Sequence, residues 1–356
     1  MMITAALNLL SAILPVLLLC CGCAVDDVSG GGGSPDHSVT LIMPVGGCGD
    51  NGYNDLILSG AMDFYHSKET EVRFSLRYPV DEAQVKSMIE EWMVSAGEEN
   101  GEKCHSLLLL ASGDYKKYVG NVERALDDNR RILVFECSDD GVADGVSTFR
   151  IGRYGAAYLV GLMARESPEA HVVYAFHGDS SCIEAGKGFC DGYKSSESGK
   201  KVICHYIASD AEGYSMPEKA YDVVKSLDNV FIFPLSGGSN NGIFRYSREN
   251  MFTLQLIAGM DVDCSAYSTR VPFSLVVHVD EIVSSLIMQW YSLGSLPRHT
   301  DYYMSNSDMI DVIINPDFVD RANILLDYYI DPEYWQLQKD MNFEKAVIAE
   351  KAYYGF

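Results

Sequence analysis

Polar side chains follow the first strand-like apolar run after the N-terminal segment, at the point where that strand would end. "VTLIMPV" (39–45) is followed by "GGCGDNGYND", which supplies Asp50, Asn51, Tyr53 and Asn54 at the start of a helical pattern. A carboxylate, two amides and a flat aromatic face suit a hydroxyl-rich or heterocyclic ligand. The alternative is that Asp50 and Asn51 only cap the helix, since both residue types are favourable N-caps.

Three later segments repeat this arrangement of acids, amides and glycines at strand ends. They are "FECSDDG" (135–141), "FPLSGGSNNGIFRY" (233–246) and "GMDVDCSAY" (259–267). We predict that Asp261 contacts the ligand from the end of its strand; in the alternative, Asp261 caps the turn and Asp263 contacts the ligand. The ligand-binding candidates in these segments are Asp139, Asp140, Ser236, Gly237, Gly238, Phe244, Asp261 and Asp263.

Motifs that carry catalysis or phosphate binding are missing from the sequence. It holds no G-x-x-x-x-G-K-[ST], no G-x-S-x-G and no H-E-x-x-H, and its cysteines and eight histidines lack metal-site spacing. We therefore expect a binding protein, not an enzyme, with no cofactor and no metal ion. Nucleoside hydrolysis is the catalytic alternative, because "DVD" (261–263) matches the start of the calcium site of nucleoside hydrolases.

The charge balance excludes further classes of partner. Asp and Glu outnumber Lys and Arg by 50 to 27, which gives a formal net charge of −23. Nucleic acids and anionic membrane surfaces are bound through clustered basic side chains, so neither is an expected partner. The expected partner is a small-molecule ligand.

Apolar runs alternate with amphipathic helical patterns along most of the chain. This alternation predicts an α/β fold in which parallel sheets are covered by helices on both faces. About ten apolar runs are too many for one compact sheet, so we predict two doubly wound parallel-sheet lobes with a ligand cleft between them. The predicted ranges are a signal peptide at 1–23, a flexible tether at 24–37, a first lobe at 38–147 plus 262–300, and a second lobe at 148–261 plus 301–356.

The N-terminus predicts where the protein lies in the cell. "LLSAILPVLLLCCGCA" carries no charged side chain and ends in cysteines, which resembles a bacterial lipoprotein signal whose cysteine is lipidated after cleavage. Gly22 favours Cys23 as the lipidated residue, and Cys21 is the alternative. An uncleaved transmembrane anchor of about 20 residues is the competing interpretation. Both place a folded domain in the bacterial cell envelope, facing the periplasm or the outer surface.

Seven cysteines remain after the signal segment, without a C-x-x-C pair. Cys182 and Cys190 lie on one predicted helix, too far apart along its axis to form a disulfide. We predict that most of these cysteines are buried structural thiols. The glycines of "GKGFCDG" (186–192) have the wrong spacing for a dinucleotide-binding turn, and we expect them to let the helix pack closely.

In their order along the chain, these segments resemble the Bmp/PnrA family of lipoproteins. The family's D-x-S-F-N opening is similar to "DNGYN" (50–54), its A-G-x-x-G-x-G segment to "SGGSNNGIF" (236–244), and its G-V-D-x-D segment to "GMDVD" (259–263). Its helix E-x-x-[AS]-[FY]-L-A-G-Y is similar to "GRYGAAYLVGLMA" (152–164). Its S-x-x-K-R-V-D-x-A-V segment is similar to "SLVVHVDEIV", where Val277 occupies the lysine position.

The resemblance implies a type I periplasmic-binding-protein fold and a lipoprotein that delivers its ligand to an ABC permease, with purine nucleosides among the family's ligands. It implies that Tyr53 and Phe244 stack on the two faces of a base. The other implied roles are base-edge contacts, or shaping of the pocket, by Asp50 and Asn54, and sugar-hydroxyl contacts by Asp261 and either Asp139 or Asp140.

A second binding function is compatible with the same sequence. Asp26 and Asp27 follow the candidate lipidated cysteines and resemble the export signal of some outer-surface lipoproteins. A surface receptor or sensor for a sugar-like ligand, without a permease of its own, is therefore the alternative to a transport protein.

Overall fold

The computed structural model describes residues 36–68, 71–95, 104–119, 126–195, 200–250, 253–319 and 331–356, together with the backbone of 26–28, 98–99 and 102–103. The predicted signal peptide, with Cys21 and Cys23, lies outside these residues. Among the described helices, none combines the length and the apolar composition that a membrane crossing requires.

Strands and helices alternate along the chain, as the sequence predicts. The strands are β1 (Asp26–Val28), β2 (His37–Ile42), β3 (Val72–Arg77), β4 (Glu98–Glu99), β5 (Glu102–Lys103), β6 (His105–Leu110), β7 (Arg130–Val134), β8 (Val146–Gly152), β9 (Glu169–Tyr174), β10 (Lys201–Tyr206), β11 (Phe231–Leu235), β12 (Leu256–Ile257), β13 (Gly259–Asp261), β14 (Phe273–Val277), β15 (His299–Tyr303) and β16 (Ile310–Ile314). The α-helices are α1 (Tyr53–Ser67), α2 (Glu82–Ser95), α3 (Lys116–Val119), α4 (Tyr154–Met163), α5 (Ser180–Lys194), α6 (Pro217–Val224), α7 (Asn240–Glu249), α8 (Val279–Leu293) and α9 (Pro332–Tyr354).

The first lobe is built on a sheet with the order β1-β3-β2-β6-β7-β8-β15. All neighbouring strands in it are parallel except β1, which pairs antiparallel with β3. Residues 26–28 of the predicted tether therefore form an edge strand of this lobe. The interior strands are almost wholly buried, because helices such as α1 and α8 cover the sheet.

The second lobe contains the parallel sheet β10-β9-β11-β12 and the three-stranded sheet β13-β14-β16. The two sheets meet at Ala258, whose amide donates to the Ile232 carbonyl at 3.0 Å between β12 and β13. β16 is antiparallel to β14, whereas β13 is parallel to it. The helices α4, α5 and α9 pack together against this lobe.

The chain passes between the lobes three times: from β8 to α4, from β14 to α8, and from β15 to β16. These positions differ from the predicted boundaries. β8 belongs whole to the first sheet, β14 belongs to the second lobe although 262–300 was predicted in the first, and β15 returns to the first. The predicted boundary at residue 147 falls inside β8, and residues 139–145 form the turn before that strand.

The α4–α5 interface shows why α5 is rich in glycine. A Cβ atom on Gly188 would lie 2.3 Å from the Tyr154 carbonyl oxygen, and one on Gly192 would lie 2.1 Å from the Tyr158 carbonyl oxygen. Both distances are far inside van der Waals contact, so only glycine fits. The prediction that "GKGFCDG" permits close helix packing is confirmed.

Candidate ligand-binding site

The carboxyl ends of strands from both lobes face each other where the two lobes meet. A small, partly enclosed cavity of about 20 Å³ lies there. The first lobe lines it with the loop before α1, and the second lobe with α7 and the end of β13. The lining residues are Asp50, Asn51, Gly52, Gly237, Asn240, Asn241, Phe244, Met260, Asp261, Cys264 and Tyr267.

The lobes are closed on each other around this cavity. A Cβ atom on Gly238, in the second lobe, would lie 3.6 Å from the Asp50 Cα atom in the first lobe. A Cβ atom on Gly52 would lie 3.9 Å from the Oδ2 atom of Asp261. The loop before α1 and the end of β13 are therefore in direct contact across the cleft.

Asp261 is the unpaired carboxylate of this interface. It ends β13 with a left-handed φ of 68°, and within the described residues its carboxylate accepts no hydrogen bond from protein. Burial raises the pKa of Asp261 to about 7, with Arg153 opposing that shift and Asp50, Glu136 and Asp179 adding to it. A group that is half ionised near neutral pH can accept strong hydrogen bonds from a ligand's hydroxyl or amine groups.

Arg153 is the buried cation of the cleft. It follows β8, has 4% of its surface exposed, and forms a two-point ion pair with Glu136 at 2.9 Å and 3.2 Å. Burial works against a charged Arg153, but the adjacent Glu136 overcomes this, so the pKa of the guanidinium lies well above its ordinary value. Its charge is therefore fully matched within the protein.

Tyr53 joins this ion pair from the first turn of α1. Its hydroxyl donates to Glu136 at 2.8 Å, and the Arg153 guanidinium carbon lies 5.4 Å from the centre of its ring. Burial, with Glu136 adding to it, raises the pKa of Tyr53 well above its ordinary value, so the phenol keeps its proton. One face of the Tyr53 ring is thus occupied by Arg153 through a cation–π contact.

The second lobe adds a third carboxylate, Asp179, in the loop between β9 and α5. Its Oδ1 atom accepts the Cys182 amide at 2.9 Å and so caps α5, while its Oδ2 atom accepts the Tyr214 hydroxyl. Burial raises the pKa of Tyr214 well above its ordinary value. The helix N-terminus and this phenol compensate the charge of Asp179.

The loop before α1 is held by its own acids. Asp50 accepts the amides of Gly52 at 2.9 Å, Asn54 at 3.0 Å and Asp55 at 3.3 Å. Asp50 therefore caps α1, as the alternative interpretation of the sequence proposed, and also lines the cavity. The Asn54 side chain donates to the Gly47 carbonyl at 2.9 Å and fixes the glycine turn.

Asn51 and α7 form another contact across the cleft. The Asn51 side-chain Nδ2 donates to the Asn241 Oδ1 atom at 3.5 Å, and Asn51 itself has a left-handed φ of 53°. Ser236 is fully buried and donates to the Asn240 side-chain oxygen at 2.6 Å, so it does not reach the cavity. Phe244 lines the cavity but packs against Tyr267, with ring centres 5.6 Å apart.

Gly237 and Gly238 lie between β11 and α7. Gly237 has a φ of 54°, and a Cβ atom there would lie 2.8 Å from the Tyr214 ring. Gly238 makes the close approach to Asp50 described above. Glycine is required at this turn by its backbone conformation and by the closeness of the lobes.

Three predicted ligand residues point elsewhere. Asp263 is exposed and accepts the Ser265 amide at 2.9 Å, which makes it the turn cap that the alternative interpretation assigned to Asp261. Asp139 pairs with Arg298 at 3.4 Å, and Asp140 is exposed and accepts the Ser138 hydroxyl at 3.2 Å. Glu136, earlier in the same loop, enters the cleft in their place.

Backbone strain is concentrated at this interface. Among the described residues other than glycine, those with a positive φ are Asn51, Glu136, Asn229 and Asp261. All of these except Asn229 belong to the cleft. Such conformations are costly for residues with a Cβ atom and are typical of ligand sites, where surrounding structure holds them.

A larger depression of about 540 Å³ lies on the second lobe and is lined by Lys225, Ser226, Leu227, Asp228, Tyr246, Glu249, Asn250 and Thr253. It is an open surface hollow at the C-terminal ends of α6 and α7. Helices that follow parallel strands end at the opposite edge of the sheet, away from the strands' carboxyl ends where ligands bind in such folds. The small cavity between the lobes is therefore the candidate site.

Solved structures share this architecture. The chain is similar to a solute-binding protein of an ABC transporter system from Aeropyrum pernix K1, with 17% identity, a TM-score of 0.66 and 86% of each chain covered. A transcriptional activator of the comK gene from Bacillus halodurans is 14% identical, with a TM-score of 0.60 and coverage of 86% of this chain and 96% of that one. The fold is the two-lobed periplasmic-binding-protein fold.

A carbohydrate transporter solute-binding protein from Agrobacterium radiobacter, solved in complex with D-arabinose, is 13% identical. Its TM-score is 0.55, and the match covers 83% of this chain and 99% of that one. No protein-family model matches the sequence, and no curated protein does. The predicted fold is thus confirmed, and the resemblance to the Bmp/PnrA family stays a prediction.

Proposed function

We propose that this protein is a lipid-anchored extracytoplasmic solute-binding protein that captures a small, uncharged, hydroxyl-rich ligand, most specifically a purine nucleoside, and delivers it to an ABC permease. The observation that carries the proposal is Asp261, a strained and unpaired carboxylate at the meeting point of two periplasmic-binding-protein lobes. Ligands of open α/β sheets bind at the carboxyl ends of the strands, where Asp261 lies.

The charges of the cleft favour an uncharged ligand over an anionic one. Arg153 is neutralised by Glu136, and Asp50 and Asp179 are each compensated by the start of a helix. No cation of the described cleft is therefore left for a phosphate or carboxylate, and Asp261 would repel one. Hydroxyl groups of a ribose or pentose would instead donate to Asp261.

Ligand entry requires the lobes to separate. A cavity of about 20 Å³ has space for a single water molecule, since one water needs roughly 10–15 Å³ of such volume. Hinge motion about the three crossovers would open the cleft, as in two-domain proteins that close around their ligands.

A sugar-like ligand is the second candidate. The Tyr53 ring favours this candidate, because one face of the ring already contacts the Arg153 guanidinium. A nucleoside base could stack on that face only if Arg153 moved away. The solved relative from Agrobacterium radiobacter holds D-arabinose, a pentose. A receptor or sensor for such a ligand, without a permease, is the corresponding alternative function.

A thermal-shift screen of the full chain in detergent tests these proposals. The probes are purine nucleosides, a nucleoside monophosphate, pentoses and hexoses. A ligand at 100 times its Kd stabilises the folded state by about 2.7 kcal/mol, which gives a clear rise in Tm. We expect a purine nucleoside to raise Tm and its monophosphate not to.

Asp261→Asn and Asp263→Asn form the matched pair of variants for this screen. The Asp261 variant should lose the ligand-induced rise in Tm, and the Asp263 variant should keep it. A response to pentoses or hexoses alone would favour the sugar-like alternative. If no probe raises Tm, or if nucleosides are hydrolysed, the proposed function is wrong.

A further inference from the structure

The last turn of α9 reaches the hinge between the lobes. α9 packs along α4 of the second lobe, but its end contacts residues of first-lobe strands. The ring centre of Tyr354 lies 4.6 Å from that of Tyr303, at the end of β15, and 5.2 Å from the guanidinium carbon of Arg150 on β8. The Phe356 ring lies 4.8 Å from Tyr303.

The same turn is bound to the second lobe. The Tyr354 hydroxyl donates to the Oε1 atom of Glu184 on α5 at 2.5 Å. This Glu184 Oε1 atom also accepts a hydrogen bond from the Arg153 backbone amide at 2.8 Å. Tyr353 stacks on Tyr154 of α4 with ring centres 3.9 Å apart and planes 1° from parallel. Tyr354 thus contacts both lobes directly.

Glu350, one turn earlier, holds another crossover. Its fully buried carboxylate accepts the amides of Met304 at 3.1 Å and Ser305 at 2.9 Å, directly after β15. At the β8–α4 crossover, a Cβ atom on Gly152 would lie 2.4 Å from the Tyr303 ring and 2.7 Å from the Tyr354 hydroxyl. Two of the three crossovers are therefore packed against the end of α9.

We propose that Glu350, Tyr353, Tyr354 and Phe356 form a C-terminal clasp that holds the two lobes closed and so sets the ligand affinity of the cleft. Its effect on affinity rests on the proposed function, whereas its effect on lobe closure does not. Tyr354 and Glu184 are positioning residues, because they act on the cleft through the Arg153 backbone.

The physical reason is that opening the lobes moves β8 and β15 relative to α4 and α5. Tyr354 cannot keep both its contact with Tyr303 and Arg150 and its hydrogen bond to Glu184 during that motion. Arg153 lies at the pivot, and its guanidinium pairs with Glu136 in the cleft. The clasp therefore favours the closed state, and a protein that is closed more of the time binds its ligand with a smaller conformational penalty.

The test compares Tyr354→Phe and the double variant Tyr354→Ala/Phe356→Ala with Ile348→Ala, all in the full chain in detergent. Ile348 is 61% exposed on the same helix and is the matched control. Without any ligand, we expect both clasp variants to show faster amide hydrogen exchange than the wild type in the peptide that contains Arg153 and Tyr154. In Tyr354→Phe, the exchange rate of this peptide should rise several-fold. Small-angle scattering of the double variant should show a larger radius of gyration.

Ligand binding supplies the second measurement, with whichever nucleoside or pentose raises Tm in the screen. Both clasp variants should dissociate that ligand faster, with Kd raised about tenfold in the double variant, a difference of about 1.4 kcal/mol. If exchange and radius equal those of Ile348→Ala, the clasp is wrong whatever the screen gives. If hydrogen exchange in the clasp variants is faster but no probe raises Tm, the clasp is supported and only the proposed solute-binding function is contradicted. If the double variant does not fold, the hydrogen exchange rate of the Arg153 peptide in Tyr354→Phe, compared with that in Ile348→Ala, tests the clasp.

Discussion

At the scale of single residues, Asp261 couples the cleft to pH. Its pKa is raised to about 7 by burial, with the neighbouring acids Asp50, Glu136 and Asp179 adding to the effect of burial and Arg153 opposing it. In the unfolded chain, an aspartate titrates near its ordinary pKa of about 3.9. The folded state therefore binds a proton that the unfolded state has lost between these values, and stability from this group falls as pH rises through 7.

Asp261→Asn should remove this dependence. Relative to the wild type, the variant's free energy of unfolding should rise by about 2 to 3 kcal/mol between pH 5 and pH 8, because only the wild type must ionise a buried carboxylate. Chemical denaturation at both pH values measures the difference. Asp263→Asn, which removes an exposed carboxylate, is the control and should show no such change. The same stability difference at both pH values for Asp261→Asn would contradict the assignment.

Cys204 is the second residue with distinctive chemistry. It is exposed on β10, and a hydrogen bond with Cys190 lowers the pKa of its thiol. Of the seven described cysteines only Cys104 and Cys264 are buried, so the prediction that most of them are buried is wrong. A thiolate at neutral pH is the reactive form of cysteine. We expect iodoacetamide to alkylate Cys204 before the other described cysteines at pH 7.

Cys190→Ala tests the cause of this reactivity. Removing the Cys190 thiol should raise the pKa of Cys204 and slow its alkylation roughly tenfold at pH 7, as followed by mass spectrometry of the peptide. Cys182→Ala, on the same helix but bonded to Tyr214, should leave the rate unchanged. An equal rate in the Cys190 and Cys182 variants would show that exposure alone makes Cys204 reactive.

At the scale of elements, the close contact between α4 and α5 depends on glycines, which have no side chain. Gly192→Ala would place a methyl group 2.1 Å from the Tyr158 carbonyl oxygen, so the helices must move apart. Such overpacking costs about 1–3 kcal/mol, which exceeds the gain of roughly 1 kcal/mol from alanine's helix propensity. We expect a lower midpoint of denaturation. Ile183→Ala, on the exposed side of α5, is the control, and an equal midpoint for both variants would refute the close contact.

At the scale of the whole molecule, the first lobe begins close to its proposed anchor. The edge strand β1 starts at Asp26, immediately after the candidate lipidated cysteines, and pairs with β3. The anchor would therefore hold the first lobe directly, with the second lobe attached through the three crossovers. Lobe opening would then move the second lobe relative to the membrane.

The anchor itself is tested by the double variant Cys21→Ser/Cys23→Ser. We expect the wild type to fractionate with membranes after cleavage of its apolar segment, and the double variant to remain unprocessed or become soluble. Mass spectrometry of the mature N-terminus, with Cys48→Ser as the control, identifies the lipidated residue. A wild type that keeps the apolar segment would instead indicate the transmembrane anchor.

The sequence alone determined the class of fold and the position of several cleft residues. Near-continuous apolar strands and one-sided helices are local patterns, and they predicted two α/β lobes with their polar residues at strand ends. Asp50, Tyr53 and Asp261 lie in the cleft because each sits where a strand or the following turn ends. The order of residues along one strand is enough to place them.

Only the tertiary structure decided which side chains meet there. Glu136 and Asp139 follow the same strand, and the left-handed φ of Glu136 turns its side chain toward Arg153, whereas Asp139 pairs with Arg298. Arg153 lies in a segment whose sequence predicts a helix, which does not indicate a role in the cleft. Its hydrogen-bond partners come from both lobes. The positions of the crossovers could not be predicted from the sequence either, because β8 and β15 are joined by hydrogen bonds between residues about 150 positions apart. Contacts of that range depend on how the sheets assemble, and no local pattern in the chain encodes them.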